Sequence, residues 1–177
     1  MLPWVVRRTR LPLVSVRCPD CRSGSATTGD GRFRVNANGK LLDVWLLVRC
    51  VSCNRTIKLT VHDRAPVRSF DPAALRGYRV NDPGLVASTL LDPRLAQRNR
   101  CALDWDGSWR LDAASPWIDE GWPVQIGVAF ADPVLVRPER LIAQGLGLSR
   151  SQVLRRIKCE TPLRRPTSTG FTFTVIP

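Results

Sequence analysis

Four of the six cysteines occur as two pairs with the spacing of metal ligands. The pairs are Cys18-Pro-Asp-Cys21 and Cys50-Val-Ser-Cys53, with 28 residues between them. Two residues between thiolates let one tight turn present both sulfurs to the same ion, and two such turns complete a tetrahedral four-thiolate zinc site. Because four protein ligands leave no open position for water, the sequence predicts one structural Zn²⁺ held by Cys18, Cys21, Cys50 and Cys53.

A disulfide or a redox CxxC motif is the alternative interpretation of these cysteines. Disulfides are disfavoured in a chain that shows no export signal, and redox chemistry would need only one of the two pairs. The remaining two, Cys101 and Cys159, have no partner in the sequence. We expect them to be small, buried or half-buried packing residues.

The residues around the cysteine pairs have the pattern of short antiparallel strands. Residues 32–37 alternate apolar and polar side chains, Asn38-Gly39 is a strong hairpin signal, and residues 41–49 form an apolar run suited to a buried strand. A third strand is predicted at residues 56–61. The pattern favours a three-stranded zinc ribbon with a basic N-terminal arm, together spanning residues 1–64.

The charge of the chain is unevenly distributed. The net charge is +12, and the segments 1–64, 65–136 and 137–177 carry +8, −2 and +6. Clustered cations raise the local potential and release counterions from phosphates, so the two basic ends favour a polyanionic partner. Most of the cations are arginine, whose planar fork suits phosphates and base edges. A solvated basic surface is the alternative.

The middle segment, residues 65–133, is predicted to be mixed α+β. Asp71-Pro72, Asp82-Pro83 and Asp92-Pro93 each place a capping acid before a first-turn proline, which predicts two or three short helices. Residues 102–111 are predicted to form a hairpin around Asp106-Gly107, and 123–131 and 134–136 to form strands.

The tryptophans and carboxylates of the middle segment allow functional interpretations. Trp105, Trp109, Trp117 and Trp122 could stack unpaired bases, although core packing is the commoner role of tryptophan. Turns and caps explain most of the acids, which are Asp104, Asp106, Asp112, Asp119 and Glu120. No nucleophile comes with a base and no phosphate-binding loop is present, so the sequence predicts a protein that is not an enzyme.

The C-terminal segment, residues 134–177, is predicted to contain a helix pair followed by a strand. Pro138 suits the first turn of a helix ending near Gln144, and Ser149 suits the cap of a second helix over residues 150–158. Glycine 145 or 147 is expected to end the first helix. The predicted nucleic-acid-binding residues are Arg137, Arg140, Ser149, Arg150, Arg155, Arg156 and Lys158, with Ser149 acting as the helix cap.

This segment resembles the RNA-binding domain named for small-subunit ribosomal protein four. The resemblance is carried by Leu146-Gly-Leu-Ser-Arg-Ser151 and the apolar Ile157, whereas Arg137-Pro-Glu139 matches the opening of the motif loosely. It covers about a fifth of the chain, and the usual glycine-rich tail of the motif is missing. The resemblance implies recognition of structured RNA through a basic helix face.

The chain as a whole resembles an uncharacterised bacterial family, the domain of unknown function numbered one thousand and sixty-two. The residues that carry this resemblance are Cys18-Pro-Asp-Cys21, Phe33-Arg-Val-Asn-Ala-Asn-Gly-Lys40, Leu42-Asp-Val-Trp45 and Cys50-Val-Ser-Cys53. The family implies no activity. The fold class expected is α+β: the zinc ribbon, then a mixed α+β region, then a helix-helix-strand motif of the RNA-binding type.

These observations together predict a cytoplasmic RNA-binding protein that acts on structured ribosomal or transfer RNA. No apolar run approaches the length of a membrane helix, and no export signal is visible, so we expect no membrane partner. The alternatives are a DNA-binding or transcription-associated zinc-ribbon protein, an RNA-modifying enzyme that uses Asp104 or Asp106, and a protein-interaction adaptor.

Overall fold

The computed structural model describes residues 1–113 and 123–176. In these residues the chain forms two five-stranded sheets and five α-helices, so the expected α+β class is confirmed. The strands are β1 (Leu2–Arg8), β2 (Leu13–Ser15), β3 (Ser25–Asn38), β4 (Leu41–Cys50), β5 (Thr56–Pro66), β6 (Ala102–Asp104), β7 (Trp109–Ala113), β8 (Val124–Phe130), β9 (Ile157–Cys159) and β10 (Phe171–Val175). The helices are α1 (Pro72–Val80), α2 (Pro83–Leu91), α3 (Pro93–Asn99), α4 (Pro138–Leu146) and α5 (Arg150–Arg156).

The chain divides into two compact units. The inserted unit comprises residues 11–104, and the terminal unit comprises residues 1–10 together with 105–177. This division differs from the three consecutive segments predicted, 1–64, 65–133 and 134–177. The reason is β1: instead of forming an arm of the inserted unit, it pairs with β7 and β8 far along the chain.

The sheet of the inserted unit is antiparallel, in the order β5-β4-β3-β2-β6. Its centre is the β3–β4–β5 meander, which contains the three predicted strands. Gly39, with φ of 60°, takes the left-handed conformation that the β3–β4 turn requires. β3 begins at Ser25, earlier than predicted, and its register against β4 shifts between Thr27 and Arg32. Gly29 and Gly31 supply the positive φ values of this bulge.

Helices α1, α2 and α3 confirm the three aspartate-proline starts. The carboxylate of Asp71 accepts a hydrogen bond from Ala73 N at 2.8 Å, and Asp82 and Asp92 cap the next two helices in the same way. The helices bury apolar side chains against one face of the meander. This core contains Val44, Leu46, Val48, Tyr78, Val86, Leu90 and Leu95.

The terminal unit has a mixed sheet in the order β7-β1-β8-β10-β9. The β1–β8 pair is parallel and the other three pairs are antiparallel. Trp4 is fully buried on β1, and its ring packs edge-on against Phe173 with centroids 5.3 Å apart. Residues 131–137 connect β8 to α4, and the sheet and the α4–α5 pair belong to the same unit.

Two predicted strand features are wrong. Residues 102–111 do not form a hairpin: a turn at Trp105–Ser108 exists, but β6 pairs with β2 and β7 pairs with β1. Residues 134–136 do not form a strand, and within them only Val136 makes an isolated β-bridge, to Thr167. In both regions the backbone pairs with residues that are distant in sequence.

The four tryptophans of the middle segment divide into two groups. Trp105 and Trp109 are 7% and 8% exposed, which confirms the packing alternative for them. Trp117 and Trp122 lie outside the described residues, as do the acids at 119 and 120. Within the described residues, none of the helices has the length and apolar composition that crossing a bilayer requires.

Helix α4 lies so close to β1 that one of its glycines has no room for a side chain. A Cβ at Gly145 would collide with the ring of Trp4 and would lie 2.8 Å from Leu111 Cδ2. Gly145 is therefore a packing glycine. The helix ends at Gly147, which has φ of 65° and donates its N–H to Ala143 O.

We expect Gly145→Ala to destabilise the protein by about 1–2 kcal/mol. Overpacking a filled site costs about 1–3 kcal/mol, and the gain in helix propensity of about 1 kcal/mol recovers only part of that cost. Chemical denaturation followed by circular dichroism measures the change. Gln144→Ala, at an exposed position of the same helix, is the control and should leave stability unchanged or slightly higher. A stabilised Gly145→Ala protein would contradict the packing described.

His62, the only histidine, packs in the inserted unit against two aromatic residues. Its Nε2 lies 3.1 Å from Tyr78 Oη, and its ring centroid lies 4.8 Å from that of Phe70. Burial, and then the positive charge of Arg98, lower the pKa of His62 below 6.5. The unfolded chain therefore takes up this proton at a higher pH than the folded chain. The resulting contribution to stability is present above pH 6.5 and is lost as pH falls through the folded pKa.

An NMR titration of the single imidazole tests this description. We expect a midpoint below 6.5 in the native protein and a midpoint closer to 6.5 in Arg98→Gln, because that variant removes the charge and keeps a donor. Arg94→Gln removes an exposed charge from the same helix and should leave the midpoint where it is. A native midpoint at or above 6.5 would show that the imidazole is solvated.

Candidate metal centre and cationic surface

The inserted unit brings all four predicted cysteine ligands together. The sulfur atoms of Cys18, Cys21, Cys50 and Cys53 lie within 4.8 Å of one another. Cys18 and Cys53 are 3.6 Å apart and Cys21 and Cys50 are 3.4 Å apart, so the close contacts link one pair to the other. Cys18 and Cys50 are buried, whereas Cys21 and Cys53 are exposed. Each pair thus contributes one inner and one outer sulfur.

The two cysteine loops have the same backbone geometry. In the first loop, between β2 and β3, Arg22 N donates to Cys18 O at 3.1 Å; in the second, between β4 and β5, Asn54 N donates to Cys50 O at 3.0 Å. Arg22 and Asn54 both have φ of 61°, in the left-handed region. The residue after each second cysteine therefore reverses the chain and leaves the loop N–H groups facing sulfur.

The connection between the loops comes from the sheet. Ala26 of β3 pairs with Cys50 of β4, and Val51 N donates to Ser25 O at 3.1 Å. This pairing places the end of β4 directly beside the start of β3. Two loops that are separate in sequence are therefore held side by side before any ligand contributes.

The electrostatics of the cluster favour thiolate at one position and thiol at another. Hydrogen bonds from the backbone N–H groups of Cys53 and Ser52 lower the pKa of Cys50 to about 6. The N–H of Arg55 lowers the pKa of Cys53, but the thiols beside it and burial outweigh this effect and raise it to about 12. Without a cation, the cluster cannot hold four thiolates at neutral pH.

The donor set fits a metal ion such as zinc. Zinc–sulfur bonds of about 2.3 Å in a tetrahedron place the sulfurs about 3.8 Å apart, close to the separations observed. A disulfide would need about 2.05 Å, and all four cysteines are free. In the described part of the chain, this is the one cluster of three or more His, Cys, Asp or Glu side chains able to share an ion.

The predicted cations of the terminal unit lie on and around α4 and α5. Ser149 caps α5 as predicted: its Oγ accepts from Gln152 N at 3.3 Å, and Gln152 Oε1 accepts from Ser149 N at 2.8 Å. The helix ends at Arg156, two residues earlier than predicted, because Ile157 enters β9. Lys158 is therefore an exposed strand residue.

The predicted cations differ in exposure and in pairing. Arg150 and Arg155 are exposed, Arg156 is half-buried, and Arg137 is exposed at the start of α4. Arg140 forms an ion pair with Asp106. Among the described residues, none of the ion pairs involves Arg137, Arg150, Arg155 or Lys158. In this part of the chain, the charges of these four residues are not offset by an ion pair.

A second cationic surface, which sequence reasoning missed, lies on the inserted unit. β4 alternates buried residues with Trp45, Leu47 and Arg49, which are half-buried or exposed on the opposite face. The apolar run 41–49 predicts a buried strand, without distinguishing one buried face from two. Arg49 and the charged residues at alternating positions of β3 were the signal that one face meets solvent.

The chain matches a family model but no individual protein. No curated protein and no solved structure matches it. One family model, described as "Protein of unknown function (DUF1062)", matches residues 35–163. The match spans more than two thirds of the chain and includes the second cysteine pair, helices α1 to α5 and strand β8. The chain therefore belongs to the DUF1062 family, as the resemblance of its sequence predicts.

Proposed function

We propose that this chain is a non-catalytic protein of the cytoplasm that binds structured RNA, ribosomal or transfer, and carries one structural Zn²⁺. The observation that supports RNA binding best is the set of unpaired, exposed cations around the capped helix α5. Arg150, Arg155 and Lys158 are exposed and free of ion pairs within the described residues. An ion pair at these positions would offset their attraction for phosphate, so their lack of one keeps the charge available.

The order of elements in the terminal unit also supports this proposal. Helix α4, the turn at Gly147, the capped helix α5 and strand β9 follow one another in the order expected of the ribosomal-protein-four type of RNA-binding domain. The capping box at Ser149 holds the start of α5 in one conformation. Exposed cations on a fixed helix bind with a smaller loss of conformational entropy than cations on a loose segment.

The zinc would be held by Cys18, Cys21, Cys50 and Cys53 in the inserted unit. When bound, the ion supplies positive charge that stabilises four thiolates, and it links the two cysteine loops. All four ligand positions are filled by protein, so the residues leave no coordination site for a substrate. The ribbon of the proposal corresponds to the β3–β4–β5 meander closed at one end by this cluster.

We expect the purified protein to contain one Zn²⁺ per chain and Cys21→Ser to lose it. Because binding at such sites is coupled to folding, at about 10–16 kcal/mol, the inserted unit should unfold when the ion is removed. Elemental analysis gives the stoichiometry, and circular dichroism with and without a chelator follows folding. Cys159→Ser changes a cysteine of the terminal unit and should retain the full zinc content. Retention of zinc by Cys21→Ser would show that Cys21 is not a ligand.

We expect the triple variant of Arg150, Arg155 and Lys158 to glutamine to bind RNA more weakly. If each cation meets one phosphate, the log–log salt slope should decrease in magnitude by about 2–3. Fluorescence anisotropy with bulk transfer RNA and with isolated ribosomal RNA provides both quantities.

The matched control is the glutamine triple variant of Arg76, Arg79 and Arg94, which removes equal charge from exposed helix positions of the inserted unit. It should bind nearly as the native protein does. We call the glutamine triple variant of Arg150, Arg155 and Lys158 the α5 variant. Equal affinity of this variant and the native protein for both RNAs would refute the assignment of these residues to RNA binding. Stronger competition by duplex DNA than by either RNA would favour the DNA-binding alternative.

A further inference from the structure

We infer that the outer face of the β3–β4–β5 meander is a second binding surface, which takes an unpaired stretch of RNA. The face is formed by one alternate set of residues on three neighbouring strands, which we call the sheet platform: Arg32, Arg34, Trp45, Arg49 and Lys58. This surface goes beyond the proposed function, because it lies in the other unit. The inference rests on the proposed function in one respect only, which is that the bound nucleic acid is RNA.

The platform is the side of the meander that its own helices leave uncovered. On β4, the residues Val44, Leu46 and Val48 are fully buried against α1, α2 and α3. Trp45 and Leu47, between them, are half-buried and point to the other side of the sheet. Part of the Trp45 indole is therefore open on the side of the sheet that the helices do not cover.

Cations surround the tryptophan. Arg34 lies directly opposite Trp45 on β3, and Thr60 lies opposite it on β5. Lys58 Nζ lies over the face of the Trp45 ring, 5.0 Å from its centroid, in a cation–π contact. A base that stacks on this face takes the place of the ammonium, and the released ammonium and the Arg34 guanidinium are then both close enough to meet its phosphates.

A small cavity lies farther along the same face. It has a volume of about 150 Å³ and is lined by Thr28, Asp30, Arg32, Leu47, Arg49 and Thr56. The bulge of β3 opens it, because the register shift between Thr27 and Arg32 separates the two strands. Arg49 has Thr27 opposite it on β3 and Thr56 opposite it on β5. Two guanidinium groups with threonine hydroxyls beside them provide the donors that a phosphate accepts.

The acidic residues of this face leave it positive. Asp30 lies 3.8 Å from Arg32, and both side chains are well exposed, so the pair is weak. Asp43, on the same face of β4, accepts a hydrogen bond from Arg64 N at 2.8 Å. Against these two carboxylates stand the four cations of the platform.

The spacing favours a strand over a mononucleotide or a duplex. Trp45 and Arg49 are four residues apart on β4, about 13 Å at the rise of a β-strand. The stacked base and the bound phosphate would therefore belong to different nucleotides of one strand. In a duplex the bases are already stacked and paired, so a half-buried tryptophan on a sheet has no base face to contact.

The test uses short oligouridylate, which is unstructured, and the indole N–H resonances of the six tryptophans. Trp45→Phe assigns the resonance of Trp45. We expect oligouridylate to shift this resonance more than the other indole resonances. Trp45→Leu should weaken binding by about fivefold or more, since a stacked base contributes about 1–3 kcal/mol. Arg49→Gln should decrease the magnitude of the log–log salt slope by about 0.7.

Arg68→Gln is the matched control, because it removes an exposed charge of the same unit that lies in the short helical turn after β5 and is not part of the platform. It should leave the affinity for oligouridylate almost unchanged. The Arg49→Gln protein tests the inference even if Trp45→Leu fails to fold, because the Arg49 side chain is exposed. An unshifted Trp45 resonance, or native affinity in Arg49→Gln, would overturn the inference. Tighter binding of oligodeoxythymidylate than of oligouridylate would overturn the choice of RNA.

The glutamine triple variant of α5 separates this inference from the proposed function. It retains the platform, so its affinity for oligouridylate should equal that of the native protein even where transfer RNA binding is lost. If the α5 variant binds folded RNA normally while the Arg49→Gln variant loses oligouridylate, the platform stands and the proposed function fails. If the α5 variant loses oligouridylate binding and Arg49→Gln keeps it, the platform fails.

Discussion

The closeness of four sulfur atoms is the constraint on which the inserted unit depends. Cys18, Cys21, Cys50 and Cys53 come from the loops before β3 and after β4, so their meeting at distances within 4.8 Å requires those strands to be in register. The β3–β4 ladder provides that register, and the cluster in turn closes its end. A group of four thiols with one pKa near 6 and another near 12 resists becoming four thiolates. All four thiols can therefore ionise together only when a cation is bound to them.

Features set by neighbouring residues were predictable. The caps at Asp71, Asp82 and Asp92 link side chains to N–H groups two or three residues away, and the capping box of Ser149 spans three residues. The asparagine-glycine turn and the CxxC loops are equally short. In each case, the side chain that caps the backbone, or the residue that allows the turn, lies within a few residues of the backbone groups it affects. The four cysteines that cluster in the structure were therefore identifiable as candidate metal ligands without knowledge of the fold.

Features set by distant partners were not predictable. The parallel pairing of Trp4 with Val128 joins residues that no local pattern relates, and it places β1 in the terminal unit. Glycine 145 or 147 was expected to end α4, and Gly147 does so. The packing role of Gly145 was not predictable, since only the position of Trp4 explains it. Trp45 shows a third case. A strand with apolar residues on both faces has the same composition whether its second face is covered or open to solvent.

The division into two units changes how the charge distribution along the sequence is interpreted. By sequence, an acidic middle separates two basic ends, but the acids of that middle are shared between the units. The inserted unit has 15 cations and 8 acids, net +7, and the terminal unit has 12 and 7, net +5. Each unit is thus cationic by itself, and bound zinc with four thiolates would lower the inserted unit to about +5. A polyanion that bound only the C-terminal helix pair would leave the net charge of +7 on the inserted unit unexplained. The sheet platform places four of the inserted unit's 15 cations beside a half-buried tryptophan, which gives part of that charge a ligand to meet.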